Sequence, residues 1–359
     1  MKIAIDCRKI KDGGIGTYLK NLLEQWHSMS APAKFYLFCL SEDADLIPAG
    51  LGEVITHDVA KYSVAELFSF ARPLANIKPD LFFTPHYTLP FRLPCPSVIT
   101  VHDLIHLRFP SNVSLLGKIY ARWMITNACN RSSIILTVSG YSKSDIISLS
   151  EKWGKKIRIA PPGVNRNIFK AYPQSDIAHF KATYSLPAEF ILYVGALKRH
   201  KNPQALITLV NKLRIPMVIA TQESTAVREV ILSGVEDNKL VNVLNISDEK
   251  QMALLYNSAR MLIHPALYEG FGLPPIEAMA CGLPVVCSMA ASLSEVVGDA
   301  ALTFDPTDFE TMLEQVNLCW RDANLRDILI AKGAVRAGQF GWDKPASEIF
   351  KVFSEVMRK

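Results

Sequence analysis

No apolar run in this 359-residue chain approaches the ~20 residues that a bilayer-crossing helix needs, which argues against a membrane span. Cysteine is sparse and unpatterned. The seven residues, Cys7, Cys39, Cys95, Cys129, Cys281, Cys287 and Cys319, are odd in number and lack metal-ligand spacing. That removes a disulfide framework and a zinc knuckle, and reads as small buried hydrophobes in a reducing compartment. The opening residues Met1–Asp6 read as a strand at once and are too short for a signal peptide, so the expected location is the cytoplasm. Charged residues make up 20% of the chain and hydrophobic ones 49%, a globular composition, and the length suits two domains that each bury a core.

The net charge of +5 is unevenly spread. Residues 1–165 hold 19 Lys and Arg against 13 Asp and Glu, while residues 166–359 hold 20 against 21. Most of the excess follows His102, in Arg108, Lys118, Arg122, Arg131, Lys143, Lys152, Lys155, Lys156 and Arg158. A solvated surface accounts for it, and so does an anionic surface or acceptor facing the first half.

The most informative stretch runs from His264 to Val286. An apolar strand, Arg260 to His264, leads into a glycine loop and then a helix that Pro275 opens, since the first helical position needs no N–H. Gly282 fits the left-handed position that closes a helix, and Pro284-Val285-Val286 starts another strand. Glu269 enters the loop and Glu277 lies in the first turns of the helix. Between them Gly270 and Gly272 let the backbone approach a ligand, and amides at a helix start favour an anion such as phosphate. A plain strand–helix crossover would explain any one of these glycines. It explains two glycines, two prolines and two carboxylates within nine residues poorly.

The run Glu269-Gly-Phe-Gly-Leu-Pro-Pro-Ile-Glu277-Ala-Met-Ala-Cys-Gly-Leu-Pro-Val-Val286 resembles the glutamate–seven residues–glutamate motif of the retaining nucleotide-sugar glycosyltransferases of family four. That resemblance implies the GT-B fold: two doubly wound α/β domains facing a cleft, with a C-terminal helix crossing back to the first. The domains are expected at 1–170, joined by the returning helix at about 340–359, and at 171–339. It also implies transfer of a hexosyl group with retention of configuration. Glu277 would hold the ribose hydroxyls, because a carboxylate accepts two hydrogen bonds. Glu269 would bind the donor sugar, with Gly270, Phe271, Gly272 and Leu273 near sugar and phosphate.

Other candidates lie at strand ends. Ile191–Gly195 reads as a strand, and Lys198, Arg199, His200 and Lys201 follow it. Cations there suit a departing diphosphate, although a solvated charge run would look the same. By resemblance Lys201 carries phosphate neutralisation, with Arg199 or His200 as its helper. In the first half, strand Ile3–Asp6 is followed by Gly13, Gly14 and Gly16 and a helix whose Leu19, Leu22, Leu23 and Trp26 share one face. A dinucleotide fingerprint would need a third glycine where Leu19 stands, so a nicotinamide oxidoreductase is a weak rival. The resemblance instead sends Gly14 and Gly16 to the donor diphosphate. The pair His102-Asp103 ends the strand from Ser97, where open α/β sheets place chemistry. His102 would face the donor sugar or the acceptor, with Asp103 orienting it.

Several segments are expected to be structural. Asp43-Ala44-Asp45 matches the metal-binding Asp-x-Asp of another glycosyltransferase fold but reads as a polar loop. A helix begins at about Val64, and another runs from Ser114 to Arg131, its Tyr120 and Trp123 interleaved with Lys118 and Arg122. That face suits a membrane interface or the core equally. Ser142 or Ser144 would cap a helix, as would Ser247 or Asp248, and a polar connector reaches Pro187.

The expected partners are a nucleotide sugar, GDP-mannose first and a UDP-hexose second, and a glycan or lipid-linked diphosphate acceptor of envelope polysaccharide assembly. An anionic membrane surface is a further expected partner, and nucleic acid is not expected. No metal or other cofactor is expected. A catalytically silent sugar-nucleotide sensor is the rival from another class. Acceptor identity, linkage and oligomeric state are not encoded in any motif found.

Overall fold

Short runs of β-branched and aromatic residues form two all-parallel sheets, whose central strands are buried on both faces and read as near-continuous apolar segments. The computed structural model describes residues 1–61, 63–109, 115–223 and 225–358. Contacts divide the chain into one unit of Met1–Pro162 with Trp342–Lys359 and another of Gly163–Gly341. Residues 163–170, expected with the first domain, sit in the second unit, where the Val164 amide donates to Phe340 O and Phe169 packs on Tyr256.

The first unit holds β1 (Lys2–Asp6), β2 (Lys34–Cys39), β3 (Gly52–Thr56), β4 (Leu81–Thr84), β5 (Ser97–Thr100), β6 (Ile134–Thr137) and β7 (Ile157–Ile159) in the order β3-β2-β1-β4-β5-β6-β7. The second holds β8 (Ile191–Val194), β9 (Met217–Ala220), β10 (Val241–Leu244), β11 (Met261–His264), β12 (Val285–Ser288) and β13 (Leu302–Phe304) in the order β10-β9-β8-β11-β12-β13. Strand order reverses beside β1 and β4 in one sheet and beside β8 and β11 in the other. At such a switch point successive loops diverge and leave a crevice at the carboxyl ends of the strands. This is the GT-B fold expected from the sequence.

Leu19, Leu22, Leu23 and Trp26 of helix Gly13–Ser28 are buried against Ile3, Ile5 and Phe35. The same face is closed by helix Asp343–Met357, the predicted returning helix. Trp26 Nε1 donates to Ala346 O at 3.0 Å, and its ring packs on Phe353. Apolar burial therefore joins the two ends of the chain, at roughly 25 cal/mol per Å² removed from water.

Local expectations fare unevenly. Asp248 caps helix Glu249–Ser258 as predicted, by accepting from the Gln251 amide. The cap of helix Gly140–Leu149 is Ser139 rather than Ser142 or Ser144: Ser139 accepts from the Ser142 amide, and Ser142 Oγ donates to His102 O. The supposed connector before Pro187 contains helix Gln174–Thr183, which buries Ile177 and Phe180 three residues apart. Near Val64 the chain forms two short helices, Glu66–Ser69 and Ala71–Ile77. Ser114 lies outside the described residues, and its predicted helix spans Leu115–Arg131. Asp43 is buried and ion-paired with Lys11, whereas Asp45 is exposed.

At the carboxyl end of β1 lies a buried ionic cluster. Arg8 Nη2 bonds to Asp6 Oδ2 and to Glu66 Oε1, each at 2.8 Å, and Lys9 Nζ lies 3.3 Å from Glu66. Burial would raise the Asp6 carboxyl, but the Arg8 guanidinium outweighs it and holds the group below the usual carboxylate range. Removing one member of a buried pair costs far more than the pair contributes, because a desolvated charge is left behind. Glu66→Ala, which takes one of two carboxylates from Arg8 and one from Lys9, is expected to cost about 3–5 kcal/mol in denaturant unfolding. An unchanged midpoint would show that the cluster is incidental to stability.

Candidate active site

At the switch point of the second sheet two loops meet. The first leaves β8 through Gly195, whose φ of +147° suits glycine, and ends at Asn202, left-handed at φ 59° before helix Pro203–Leu213. Asn202 Nδ2 donates to Pro306 O at 3.0 Å. The second leaves β11 at His264 and enters helix Leu273–Ala280. The Leu267 amide donates to His200 O at 2.7 Å, which ties the loops together. Lys201 is thereby set opposite Glu269.

The Lys201 ammonium contacts Glu269 Oε1, and His264 Nε2 lies 3.1 Å from the same oxygen. Burial alone would raise the Glu269 carboxyl. The Lys201 charge and the His264 bond overcome it, holding Glu269 well below the usual carboxylate range. Burial lowers His264 despite its acidic neighbour, so it is a neutral imidazole. A carboxylate only accepts, hence the ring proton sits on Nε2. Ser292 Oγ reaches Glu269 O at 2.9 Å and Phe271 O at 3.1 Å, and Ser288 Oγ bonds Ala266 O, so the β11 loop is braced from beneath.

Helix Leu273–Ala280 begins two residues earlier than predicted: Gly272 precedes it at φ +101°, and Leu273 is its first residue, so Pro275 is its third. First-turn amides have no intrahelical acceptor, so Pro274 and Pro275 cost the helix nothing there. They leave Leu273 as the first-turn residue with an N–H to offer. A Cβ on Gly272 would lie 2.6 Å from Leu293 Cδ2, which makes glycine necessary at that turn. Gly282 closes the helix at φ +74° as predicted. Glu277 accepts from Tyr256 OH at 2.8 Å, and burial pushes its carboxyl up to about 7, against the Tyr256 bond and with help from Glu249.

Two family models match the chain, one described as glycosyl transferases group 1 over residues 174–336 and one as glycosyltransferase family 4 over residues 12–167. The chain belongs to the family 4 glycosyltransferases. Among curated relatives, the O-antigen chain mannosyltransferase B of Escherichia coli is 27% identical over 78% of this chain and 75% of its own length. The serotype-specific mannosyltransferase WbdA of Escherichia coli is 28% identical over 79% of this chain but only 38% of its own length. Among solved structures, sucrose-phosphate synthase from Thermosynechococcus elongatus superposes with a TM-score of 0.81 at 19% identity, over 100% of this chain and 99% of that one. Anabaena HepE with UDP and glucose gives 0.79 at 17%, over 99% and 100%. These structural likenesses concern the fold.

The other sequence candidates divide between the two units. Lys201, Glu269, Gly270, Phe271, Gly272, Leu273 and Glu277 share the switch-point loops and the helix that follows. Arg199 is exposed, while His200 is buried with its carbonyl in the loop–loop bond. In the first unit, Gly14 lies in the opening turn of helix Gly13–Ser28 with open space around it, and a Cβ on Gly16 would strike Ile10 O. His102 follows β5. Burial lowers its ring to about 4, Nε2 meets Pro85 O at 2.9 Å, and the ring packs perpendicular to Tyr18 with centroids 4.9 Å apart. Asp103 Oδ1 accepts from the Ile105 amide at 3.0 Å.

Sequence reasoning missed His264 as a site residue, although the rule applied to His102, a histidine ending a buried strand, would have found it. Tyr256 carried no signal beyond helix periodicity. Among the described residues, no group of three or more His, Cys, Asp or Glu could hold a metal ion. Lys201→Ala removes the cation facing Glu269 and is expected to lower turnover about 10²–10³-fold, the scale of one lost electrostatic donor. Near-normal turnover at saturating donor would reject that role.

Proposed function

We propose that this glycosyltransferase moves a hexosyl group from a nucleotide sugar to a saccharide or lipid-linked saccharide acceptor in cell-envelope polysaccharide assembly, with retention of configuration. GDP-mannose is the first-choice donor and a UDP-hexose the second. The observation that carries the reading is the Lys201–Glu269–His264 cluster at the β8/β11 switch point, where phosphate and sugar hydroxyls find a cation and an ionised acceptor side by side. Support for mannose and for polysaccharide comes from the O-antigen mannosyltransferases among the relatives.

In this reading Lys201 meets the diphosphate, with Arg199 as an exposed outer cation, and Glu269 accepts from donor sugar hydroxyls. Gly270, Phe271, Gly272 and Leu273 supply backbone, and Glu277 takes the ribose. Gly14 and Gly16 open a helix whose amide end suits the diphosphate. His102, a neutral imidazole, is assigned to the transferred sugar or the acceptor. The departing phosphate takes the acceptor proton on its own face, so rate comes from positioning and charge stabilisation. The reading includes no metal or other cofactor.

Membrane association at the inner face of the cytoplasmic membrane is part of the proposal. In helix Leu115–Arg131, Ile119 is 58% and Trp123 46% exposed, and Phe68 is 56% exposed. Phe91 bridges them, 5.1 Å from Phe68 and 5.7 Å from Trp123 between ring centroids. Arg92 and Arg122 stand exposed in the same segments. Aromatic rings beside cations suit an anionic bilayer surface.

A thermal-shift panel of GDP-, UDP- and ADP-sugars tests the donor, since a ligand of the native state must raise stability. GDP-mannose is expected to give the largest rise, with free nucleotide released in EDTA once acceptor is present. No rise with any nucleotide sugar would reject the activity. Loss of turnover in EDTA, restored by Mn²⁺, would reject metal independence, and a rise without turnover on any acceptor would favour a sensor. In vesicle sedimentation, Trp123→Ala is expected to reduce binding to anionic but not zwitterionic vesicles. No binding of the wild type to anionic vesicles would remove the membrane from the account, and equal binding by both proteins would remove Trp123 from it.

A further inference from the structure

Glu277 does not stand alone. Tyr256, on helix Glu249–Ser258, is fully buried, and its hydroxyl donates to Glu277 Oε2 at 2.8 Å. The ring is held edge-on against Phe169, with centroids 6.1 Å apart. Oε1 of Glu277 forms no hydrogen bond among the described residues, and the side chain is partly exposed. One oxygen is therefore fixed from the protein side, and the other carries no such bond. We propose that Tyr256 is a positioning residue for Glu277: by holding Oε2 it aims Oε1 at the donor's ribose hydroxyls. This rests on the reading of Glu277 as the ribose acceptor.

The chemistry follows from donor and acceptor counting. A carboxylate can accept from two ribose hydroxyls, but a carboxylic acid offers one O–H in competition with them. Donor binding at Glu277 therefore favours the ionised form and displaces a proton when the pH is near its pKa. Burial pushes that pKa up to about 7, the Tyr256 hydroxyl opposes the rise, and the Glu249 carboxylate adds to it. Removing the Tyr256 hydroxyl deletes the opposing contribution, so the pKa climbs further. The Tyr256 phenol is itself raised far above its usual value by burial and by Glu277, so it stays a donor throughout the neutral range.

The surroundings are few. Cys281, at the end of Glu277's own helix, is raised by burial and by Glu277. Beneath the helix, β11 and β12 bring His264, lowered by burial, and Cys287, raised by burial. Glu295 lies on helix Leu293–Val297. Helix Ala323–Ala337, which packs through Gly333 against Met279, carries Arg326, Asp327, Lys332 and Arg336. Helix Glu249–Ser258, which carries Tyr256, also brings Glu249 and Lys250, and the Glu249 carboxylate raises Glu277.

The experiment measures the dissociation constants of GDP-mannose and UDP-glucose from pH 6 to 9 in wild type, Tyr256→Phe and Glu277→Gln. In wild type, affinity is expected to fall as pH drops through about 7, and calorimetry at pH 6.5 in two buffers of different ionisation enthalpy should register proton release. Tyr256→Phe is expected to move the midpoint up by about one unit, costing about eightfold in affinity at pH 6.5 and almost nothing at pH 9. Glu277→Gln should bind at least tenfold more weakly with a flat profile.

If Glu277→Gln binds like wild type, the ribose reading itself is wrong. If Glu277→Gln loses affinity while Tyr256→Phe runs parallel to wild type at every pH, the ribose reading stands and Tyr256 is only a packing residue. The absence of proton release in wild type, which needs no variant to fold, would overturn the coupling directly.

Discussion

A carboxylate taken out of water must be matched by a cation or give up its charge, and the second unit is built around one that is matched. Glu269 keeps its charge because Lys201 and His264 converge on a single oxygen. Those three side chains come from two loops that are adjacent only because strand order reverses between β8 and β11. The bond from the Leu267 amide to His200 O, the left-handed turn at Asn202 and the bracing hydroxyls of Ser288 and Ser292 hold the loops in place. Without the ion pair, these devices would hold a loop of no evident chemical use.

Two carboxylates eight residues apart are thus given opposite characters. Glu269 is pulled down by a cation, and Glu277 is pushed up by burial with only a phenol for support. An ionised group suits sugar hydroxyls throughout the physiological range. A group poised near neutrality can report whether a ligand is present. The spacing in sequence is what sets them apart in space: Glu269 sits in the loop and Glu277 one helical stretch later, facing Tyr256.

Much of the fold was legible because its signals are local. The apolar strands, the i, i+3, i+4, i+7 face ending at Trp26 and the glycine closing a helix at Gly282 all came from periodicity and turn chemistry. So did the glycine loop between the two glutamates, and the resemblance then supplied its roles. What was missed depends on contacts distant in sequence. Ser139 rather than Ser142 is the cap because the helix already begins at Gly140, so Ser142 lies in its first turn and offers its amide to Ser139. Helix Gln174–Thr183 hid in a polar segment because two buried residues are enough to anchor it. Arg8, Lys9 and Glu66 carry no sequence motif, and only the fold reveals that they meet in the interior.

The central claim is that the Lys201–Glu269 pair marks where the donor's phosphates and sugar are received. A crystal structure with GDP-mannose or a UDP-hexose bound tests it most directly. The account predicts diphosphate oxygens within hydrogen-bond distance of Lys201 Nζ and sugar hydroxyls on Glu269. A nucleotide seated elsewhere in the second unit, or a Glu269 carboxylate turned away from the bound sugar, would contradict it.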